Sequence, residues 1–147
     1  MAAKIEEYLD TGTLELYERL KGEVPAGWYV TADIAPGESL TVAGIPIETV
    51  AAYNTNKDFH PKAKNWLGFI VTVDGTRVYH AGDTDLIPEM DDLTVDVALL
   101  LVSGTYVMTA DEAVEAAKRI MPKVAIPMHY DAIVGTTEDA QTFKAAL

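Results

Sequence analysis

The sequence has 147 residues, of which 49% are hydrophobic and 23% charged, a composition typical of one globular domain with a substantial core. Its formal net charge of -12 argues against binding to nucleic acid or to anionic membrane surfaces, because like charges repel. It contains no cysteine, which excludes disulfides and thiolate metal sites, so any metal ligands are expected to be histidine, carboxylate or backbone oxygen.

The first segment is predicted to be helical and to be interrupted at Gly12. Apolar residues recur at three- and four-residue spacing between Ile5 and Leu20, with charged residues between them. The chain starts with charged residues instead of the apolar stretch of a signal peptide, and no apolar run approaches the roughly 18–20 residues of a membrane span. We therefore expect a cytoplasmic protein that does not enter a membrane.

From Trp28 onward the apolar period changes to two, which is typical of β-strands. The segments with this pattern are, in chain order, "WYVTADIA", "SLTVAGIPIETVAAY", "WLGFIVTV" and "TRVYHA". Turns are predicted at Ala43-Gly44 within the second segment and at Asp74-Gly75 between the last two, since Asp-Gly is a strong two-residue hairpin signal. The segment "NTNKDFHPKAKN" between the hairpins is predicted to be a polar loop.

The rest of the chain alternates strands with helices. After "GDTD", a short helical turn is predicted over "IPEMDDL", and the apolar runs "VDVALLLV" and "KVAIPM" predict two buried strands. Thr109 and Glu112 form a capping-box pattern at the start of the helix "ADEAVEAAKRIM". The last helix, about 137–146, is expected to present Ala140, Phe143 and Ala146 on one face. This order indicates a single α/β domain over residues 1–147, in which helices cover a β-sheet.

All three histidines, His60, His80 and His129, lie at or beside the ends of predicted strands, and Asp83 follows the strand that holds His80. Ligands usually converge at strand ends in layered α/β folds. A metal site needs imidazole and carboxylate groups from separate loops, because one loop rarely encloses a cation. The spacing alone makes a site of His60, Asp83 and His129 one hypothesis. Ordinary surface or packing roles are the alternative.

Two long segments, "AAYNTNKDFHPKAKNWLGFIVTVDGTRVYHAGDTDLIPEM" and "VDVALLLVSGTYVMTADEAVEAAKRIMPKVAIPMHYDAIVG", resemble the metallo-β-lactamase superfamily. The resemblance is to its small prokaryotic metal-dependent hydrolases of the L-ascorbate-6-phosphate lactonase-like kind, and it runs from about Ala35 to the C-terminus. It implies a four-layer αββα sandwich with two metal ions, usually zinc, at one edge of its sheets. By this resemblance, His60 completes the first metal site, Asp83 bridges both metals in catalysis, and His129 completes the second site.

The resemblance also implies supporting roles near that site. The residues assigned to orienting a ligand or contacting a small-molecule substrate are His80, Asp85, Thr105, Tyr106 and Tyr130. A purely structural role is the alternative for each of them. The chain also has Ser103 and Asp131 where this branch is expected to have glycine. A lost glycine beside the site indicates either relaxed constraint or, at Asp131, an added carboxylate.

The family's signature, His-x-His-x-Asp-His, supplies four metal ligands and is not found in this sequence. We therefore expect an N-terminally truncated sandwich, equivalent to the C-terminal two-thirds of the fold, that binds one zinc ion or none as a lone chain. An exposed sheet edge and apolar face are expected to result, and such surfaces associate. The predicted state is a homo-oligomer or a complex with a separately encoded N-terminal half.

Three hypotheses about function follow. The chain is part of a zinc hydrolase that works when the missing half is supplied, a degenerate non-catalytic member that serves as an interaction or structural module, or a fragment of a full-length zinc hydrolase. We expect little or no hydrolysis by the lone chain, because the metals of such enzymes activate water and polarise the scissile bond. The substrate cannot be read from a fold.

Overall fold

The structure, a computed structural model, describes residues 34–42 and 44–147. Residues 34–147 form one compact unit. The predicted N-terminal helix and most of the predicted strand "WYVTADIA" lie outside the described residues. The single domain over residues 1–147 therefore stays a prediction, whereas the α/β character is confirmed by the sheet and helices of the described part.

A mixed sheet lies at the centre of the described part. Its six strands there are β1 (Ser39–Val42), β2 (Ile45–Ala51), β3 (Leu67–Val73), β4 (Thr76–His80), β5 (Val97–Leu101) and β6 (Val124–Met128). The first four strands are consecutive antiparallel neighbours, while β4, β5 and β6 pair in parallel. Both predicted hairpins are confirmed. Asp74 and Gly75 have φ of 49° and 77°, the left-handed pair that a two-residue hairpin turn requires.

Two described helices, α1 (Ala110–Ile120) and α2 (Thr137–Ala145), pack on one face of this sheet against β5 and β6. The predicted capping box is confirmed, since the Glu112 N–H donates to Thr109 Oγ1 (3.2 Å) and the Thr109 N–H donates to Glu112 Oε2 (2.8 Å). Short 3-10 turns span Lys62–Lys64 and Pro88–Asp92. Among the described residues, no helix is long and apolar enough to cross a membrane. The cytoplasmic location stays a prediction.

The two faces of the sheet differ in exposure. The face toward the helices is buried and includes Val50, Ile70, Tyr79, Ala98 and Leu100. The opposite face, here called the open face, carries large apolar side chains that are 37–49% exposed: Ile45, Phe69, Val73, Val124 and Ile126. The strand register places these five residues on the same side of the sheet.

One expectation about burial is wrong. The strand over "KVAIPM" is expected to be buried, but β6 pairs only with β5 among the described strands and turns Val124 and Ile126 to the open face. The last helix ends at Ala145, one residue earlier than predicted, and Ala146 is its exposed C-cap. Ala140 and Phe143 are buried as expected.

Tyr79 is a buried residue whose hydroxyl has no hydrogen-bond partner among the described residues. Burial raises the pKa of Tyr79 well above its ordinary value, with a smaller contribution from the negative charge of Glu89. We expect Tyr79→Phe to raise the free energy of unfolding by about 1 kcal/mol, because it keeps the ring and removes an unsatisfied polar group. Urea denaturation measures the change.

Tyr53→Phe is the matched control for this prediction. The Tyr53 hydroxyl donates to Glu89 Oε2 (2.9 Å) and accepts from Lys62 Nζ (3.1 Å), so its removal is expected to lower stability by about 1 kcal/mol. Equal losses in the two variants would show that the hydroxyl of Tyr79 has a partner in solution.

Candidate metal centre

The loop after β4 is held close to the start of β3 by two glycines. A Cβ on Gly82 would lie 2.5 Å from the carbonyl oxygen of Leu67, and a Cβ on Gly68 would lie 2.5 Å from that of Ala81. Gly82 also has a φ of 67°, which side chains rarely adopt. The two glycines therefore let the loop turn tightly at the sheet end, where the Asp83 side chain is 48% exposed.

Asp83 lies between two histidines that come from distant parts of the chain. Its Oδ2 is 3.5 Å from His60 Nε2, and its Oδ1 is 3.7 Å from His129 Nε2. The three residues expected to bind metal are thus brought together, with one imidazole nitrogen facing each carboxylate oxygen. Within the described residues, no three side chains of the metal-binding types are grouped closely enough to surround one ion. The trio is accordingly two pairs that share Asp83.

His129 follows β6 and adopts a φ of 62°. Its Nδ1 is 3.0 Å from Ser103 Oγ, so one position where glycine was expected holds a residue that contacts a candidate ligand. Asp131, the other such position, has a φ of 58°, a conformation that glycine adopts more easily. Its Oδ2 accepts a hydrogen bond from Thr137 Oγ1 (3.1 Å) at the start of α2.

His60 is held by the polar loop between the hairpins. Its backbone N–H donates to Asn54 Oδ1 (2.8 Å), and its Nδ1 lies 3.1 Å from the same oxygen and 3.2 Å from the carbonyl oxygen of Tyr106. The indole of Trp66 meets the imidazole edge-on, with ring centroids 4.8 Å apart. These contacts leave Nε2 as the ring nitrogen that faces Asp83.

Asp85 is fully buried and accepts several hydrogen bonds. Lys57 Nζ (2.6 Å) and Asn54 Nδ2 (3.1 Å) reach its Oδ1, while the Thr55 N–H (2.9 Å) reaches its Oδ2. Burial opposes the charged form, but the bonds from Lys57 and Thr55 outweigh burial and hold the pKa of Asp85 below its ordinary value. Asp85 is therefore an anion buried two residues from Asp83.

The other residues assigned to the site have varied surroundings. His80 is exposed on the open face, and its Nδ1 accepts from the Gly82 N–H (3.2 Å). Thr105 is exposed, and the ring of Tyr106 meets Phe59 edge-on at 4.8 Å. Tyr130 is half-buried and packs against the core. Their roles in binding a ligand or substrate stay predictions.

The sequence did not single out Asn54 or Lys57, and it marked Ser103 only as a departure from glycine. Asn54 and Lys57 belong to a polar loop, where such residues are common, and nothing local indicates that they meet Asp85 about thirty residues later. Beside these groups lies a cleft of about 540 Å³. It is lined by His60, Asn65, Trp66, Leu67, Phe69 and Asp83.

Comparison with known proteins adds a family match. A family model described as "Beta-lactamase superfamily domain" matches residues 16–129. A UPF0173 metal-dependent hydrolase from Thermoplasma acidophilum is 37% identical over an alignment of 135 residues that covers 89% of this chain and 58% of that protein. The chain thus spans little more than half the length of this relative, and 48% of the length of a second one from Pyrococcus abyssi.

Two solved structures are similar as well. One is described as a metal-dependent hydrolase from Parabacteroides distasonis, with a TM-score of 0.71 and 34% identity, over 94% of this chain and 57% of that chain. The other is described as a Zn-dependent hydrolase of the metallo-β-lactamase superfamily from Thermotoga maritima. It has a TM-score of 0.59 and 29% identity, over 78% of this chain and 58% of that chain.

Proposed function

Because this chain belongs to the metallo-β-lactamase superfamily, we propose that it forms one part of a metal-dependent hydrolase centre and holds zinc between Asp83 and two histidines. One observation carries the proposal, namely that each oxygen of Asp83 faces the Nε2 atom of a different histidine, at 3.5 Å and 3.7 Å. The relatives named as metal-dependent hydrolases support the activity, and the Thermotoga maritima structure, described as Zn-dependent, supports the metal.

The donor atoms fit zinc. Neutral imidazole nitrogen and carboxylate oxygen bind Zn²⁺ at about 2.0–2.2 Å, so two such ligands at a tetrahedral angle lie about 3.4 Å apart. The distances from Asp83 to His60 and to His129 are close to this separation. His60 Nε2 with Asp83 Oδ2 would form one pair of ligands, and His129 Nε2 with Asp83 Oδ1 the other.

When bound there, zinc would lower the pKa of a coordinated water and polarise the bond to be hydrolysed. The residues of this chain orient the reaction. Asp83 sets the spacing of the two positions, and His60 presents Nε2 from a ring held at its other nitrogen. The cleft beside Asp83 would admit the substrate, with Trp66 and Phe69 forming apolar walls.

Each position has only two protein ligands from the described residues. A stable hydrolytic zinc site uses three or more protein ligands. Further ligands from outside the described residues are part of the proposal, and we expect little hydrolysis of phosphodiesters, lactones or β-lactams by the lone chain. Zinc-dependent turnover by the purified 147-residue protein, lost on Asp83→Ala, would contradict that expectation.

Native mass spectrometry of protein purified without added metal, and again after exposure to zinc, tests the metal proposal. We expect zinc to bind, and His60→Ala and His129→Ala each to lower the amount bound without abolishing it, since each removes one pair. Protein that remains metal-free in excess zinc would contradict the proposal. It would favour the second candidate function, a non-catalytic interaction module.

The open face is the observation that favours such an interaction. Its large apolar residues are exposed and uncharged, and two sheets commonly pack face to face in a sandwich. The proposed occupant is a second copy of this chain, because a two-fold pairing buries the same apolar face on both partners. A separate polypeptide equivalent to the part of the relatives that this chain does not cover, the other expected partner, would replace that copy.

We therefore expect the purified chain to have the native mass of a dimer. Ile126→Lys is expected to shift it toward the mass of one chain, because the substitution puts a charge on the open face, which the dimer would bury. Met121→Lys is the control, since Met121 is 80% exposed at the C-cap of α1, outside the open face. A wild-type mass of one chain in dilute solution would contradict self-association.

A further inference from the structure

Asn54 lies between Asp85 and His60 and contacts both. It is 8% exposed, and its side-chain amide has four polar neighbours within 3.1 Å: Asp85 Oδ1, the Tyr106 carbonyl oxygen, the His60 N–H and His60 Nδ1. No other described side chain forms hydrogen bonds to both Asp85 and His60. The orientation of the Asn54 amide therefore helps to determine which ring nitrogen of His60 carries the proton.

The orientation of the Asn54 amide is determined by the chemistry of its neighbours. Asp85 Oδ1 and the Tyr106 carbonyl oxygen are acceptors only, so the atom 3.1 Å and 2.8 Å from them must be the NH₂ group. The His60 backbone N–H is a donor only, so the atom 2.8 Å from it must be the amide oxygen. A flipped amide would lose all three hydrogen bonds.

The protonated nitrogen of His60 follows from that orientation. The Nδ1 atom lies 3.1 Å from Asn54 Oδ1 and 3.2 Å from the Tyr106 carbonyl oxygen, and both atoms are acceptors. In neutral imidazole one nitrogen carries the proton and the other has the lone pair. Asp83 Oδ2 is also an acceptor, but it lies 3.5 Å from Nε2, beyond the usual range of about 2.7–3.2 Å for such a hydrogen bond. In the neutral ring the proton therefore belongs on Nδ1, which has two closer acceptors, and the lone pair of Nε2 points toward Asp83.

Asp85 and Lys57 hold Asn54 in this orientation. Asp85 is fully buried, accepts from Lys57 Nζ at 2.6 Å, and directs Oδ1 at the Asn54 NH₂ group. We propose that the hydrogen bonds from Lys57 to Asp85, between Asp85 and Asn54, and between Asn54 and His60 fix His60 as its Nδ1–H tautomer. The Nε2 atom is then the one that is free to bind a metal. Asn54 and Asp85 are thereby positioning residues for His60, a role that rests on the proposed metal centre only for its use, not for the tautomer.

His129 offers an internal comparison. Its Nδ1 faces Ser103 Oγ at 3.0 Å, and a hydroxyl both donates and accepts. Ser103 therefore does not impose either tautomer on His129. The two histidines that face Asp83 are held to different degrees, which makes Ser103→Ala a matched control for Asn54→Ala.

Long-range ¹H–¹⁵N correlation spectra of the metal-free 147-residue chain test the proposal, because ring nitrogen shifts report the tautomer directly. At a pH where histidine is neutral, we expect His60 in the Nδ1–H form. Asn54→Ala and the near-isosteric Asp85→Asn are expected to let the Nε2–H form appear. Ser103→Ala should leave the His60 signals as they are. A purely structural role for Asn54 would not change the tautomer.

Zinc titration is the second readout. Asn54→Ala is expected to weaken zinc binding roughly 10- to 100-fold, the range for groups that orient a metal-ligating histidine, whereas Ser103→Ala should weaken it less. A wild-type His60 in the Nε2–H form, or an unchanged tautomer in both folded variants, would overturn the proposal. Should Asn54→Ala not fold, the wild-type spectrum and Asp85→Asn decide. A fixed tautomer in a chain that binds no zinc would support the positioning and contradict only the metal centre.

Discussion

Asp83→Ala is expected to abolish zinc binding at both positions, while His60→Ala and His129→Ala each leave one pair of ligands. The difference arises because Asp83 alone contributes an oxygen to each pair, through Oδ2 toward His60 and Oδ1 toward His129. We expect the zinc dissociation constant of Asp83→Ala to be at least about 100-fold higher than that of the wild type. Loss of a group that only orients a metal ligand weakens binding by up to about 100-fold, and loss of a ligand itself is expected to have at least this effect. Isothermal titration calorimetry measures both affinity and stoichiometry.

Stability separates loss of a ligand from loss of the fold. The Asp83 side chain is 48% exposed, so its removal is expected to change the free energy of unfolding by no more than about 0.5 kcal/mol. Asp92→Ala is a control for the removal of an exposed carboxylate at another site. Zinc binding by folded Asp83→Ala with wild-type stoichiometry would show that the metal binds elsewhere and would refute the assigned ligands.

Lys57→Met is expected to lower the free energy of unfolding by about 3 kcal/mol. Removing one member of a buried ion pair typically costs about 3–5 kcal/mol, because the other charge is left buried without its partner. The side chain of Asp85 is fully buried, whereas that of Lys57 is 17% exposed, which places the expected loss at the lower end. Urea denaturation should show a lower midpoint with an unchanged slope.

Lys123→Met provides a matched control with the same chemical change. Lys123 Nζ is 2.7 Å from Asp96 Oδ1, almost the same distance as in the Lys57–Asp85 pair, but its side chain is 82% exposed. Exposed ion pairs contribute little to stability because water and salt screen the charges, so a small loss is expected. Similar losses in the free energy of unfolding of the two variants would mean that the buried Lys57–Asp85 pair stabilises the protein no more than the exposed pair does.

The local signals in the sequence predicted much of the described fold. Asp74-Gly75 forms the hairpin turn, and Thr109 with Glu112 caps α1, because both features depend on residues within one turn of chain. Errors arose where burial depends on distant elements. The apolar pattern of β6 predicts a buried strand, whereas its position beside β5 leaves Val124 and Ile126 exposed.

The candidate site was predictable in part. His60, Asp83 and His129 were identified from their positions near strand ends and from the family resemblance, and the structure brings their side chains together. The resemblance assigns His60 and His129 to separate metal positions, and this assignment stays a prediction. In the structure, each histidine faces a different oxygen of Asp83. Asp85 was identified only as a candidate to orient a ligand, and the contact that connects it to His60 passes through Asn54.

The sequence by itself was sufficient to predict the hairpin turns, the capping box and the residue types suited to metal binding. Each of these depends only on residues that are close together along the chain. The pairing of each Asp83 oxygen with its own histidine, and the protonated nitrogen of His60, required tertiary structure. These features depend on which donors and acceptors meet across separations such as the 46 residues between His60 and Tyr106. A hydrogen bond or metal contact is decided within a few tenths of an ångström, and only the packed sheet and its loops set distances to that level.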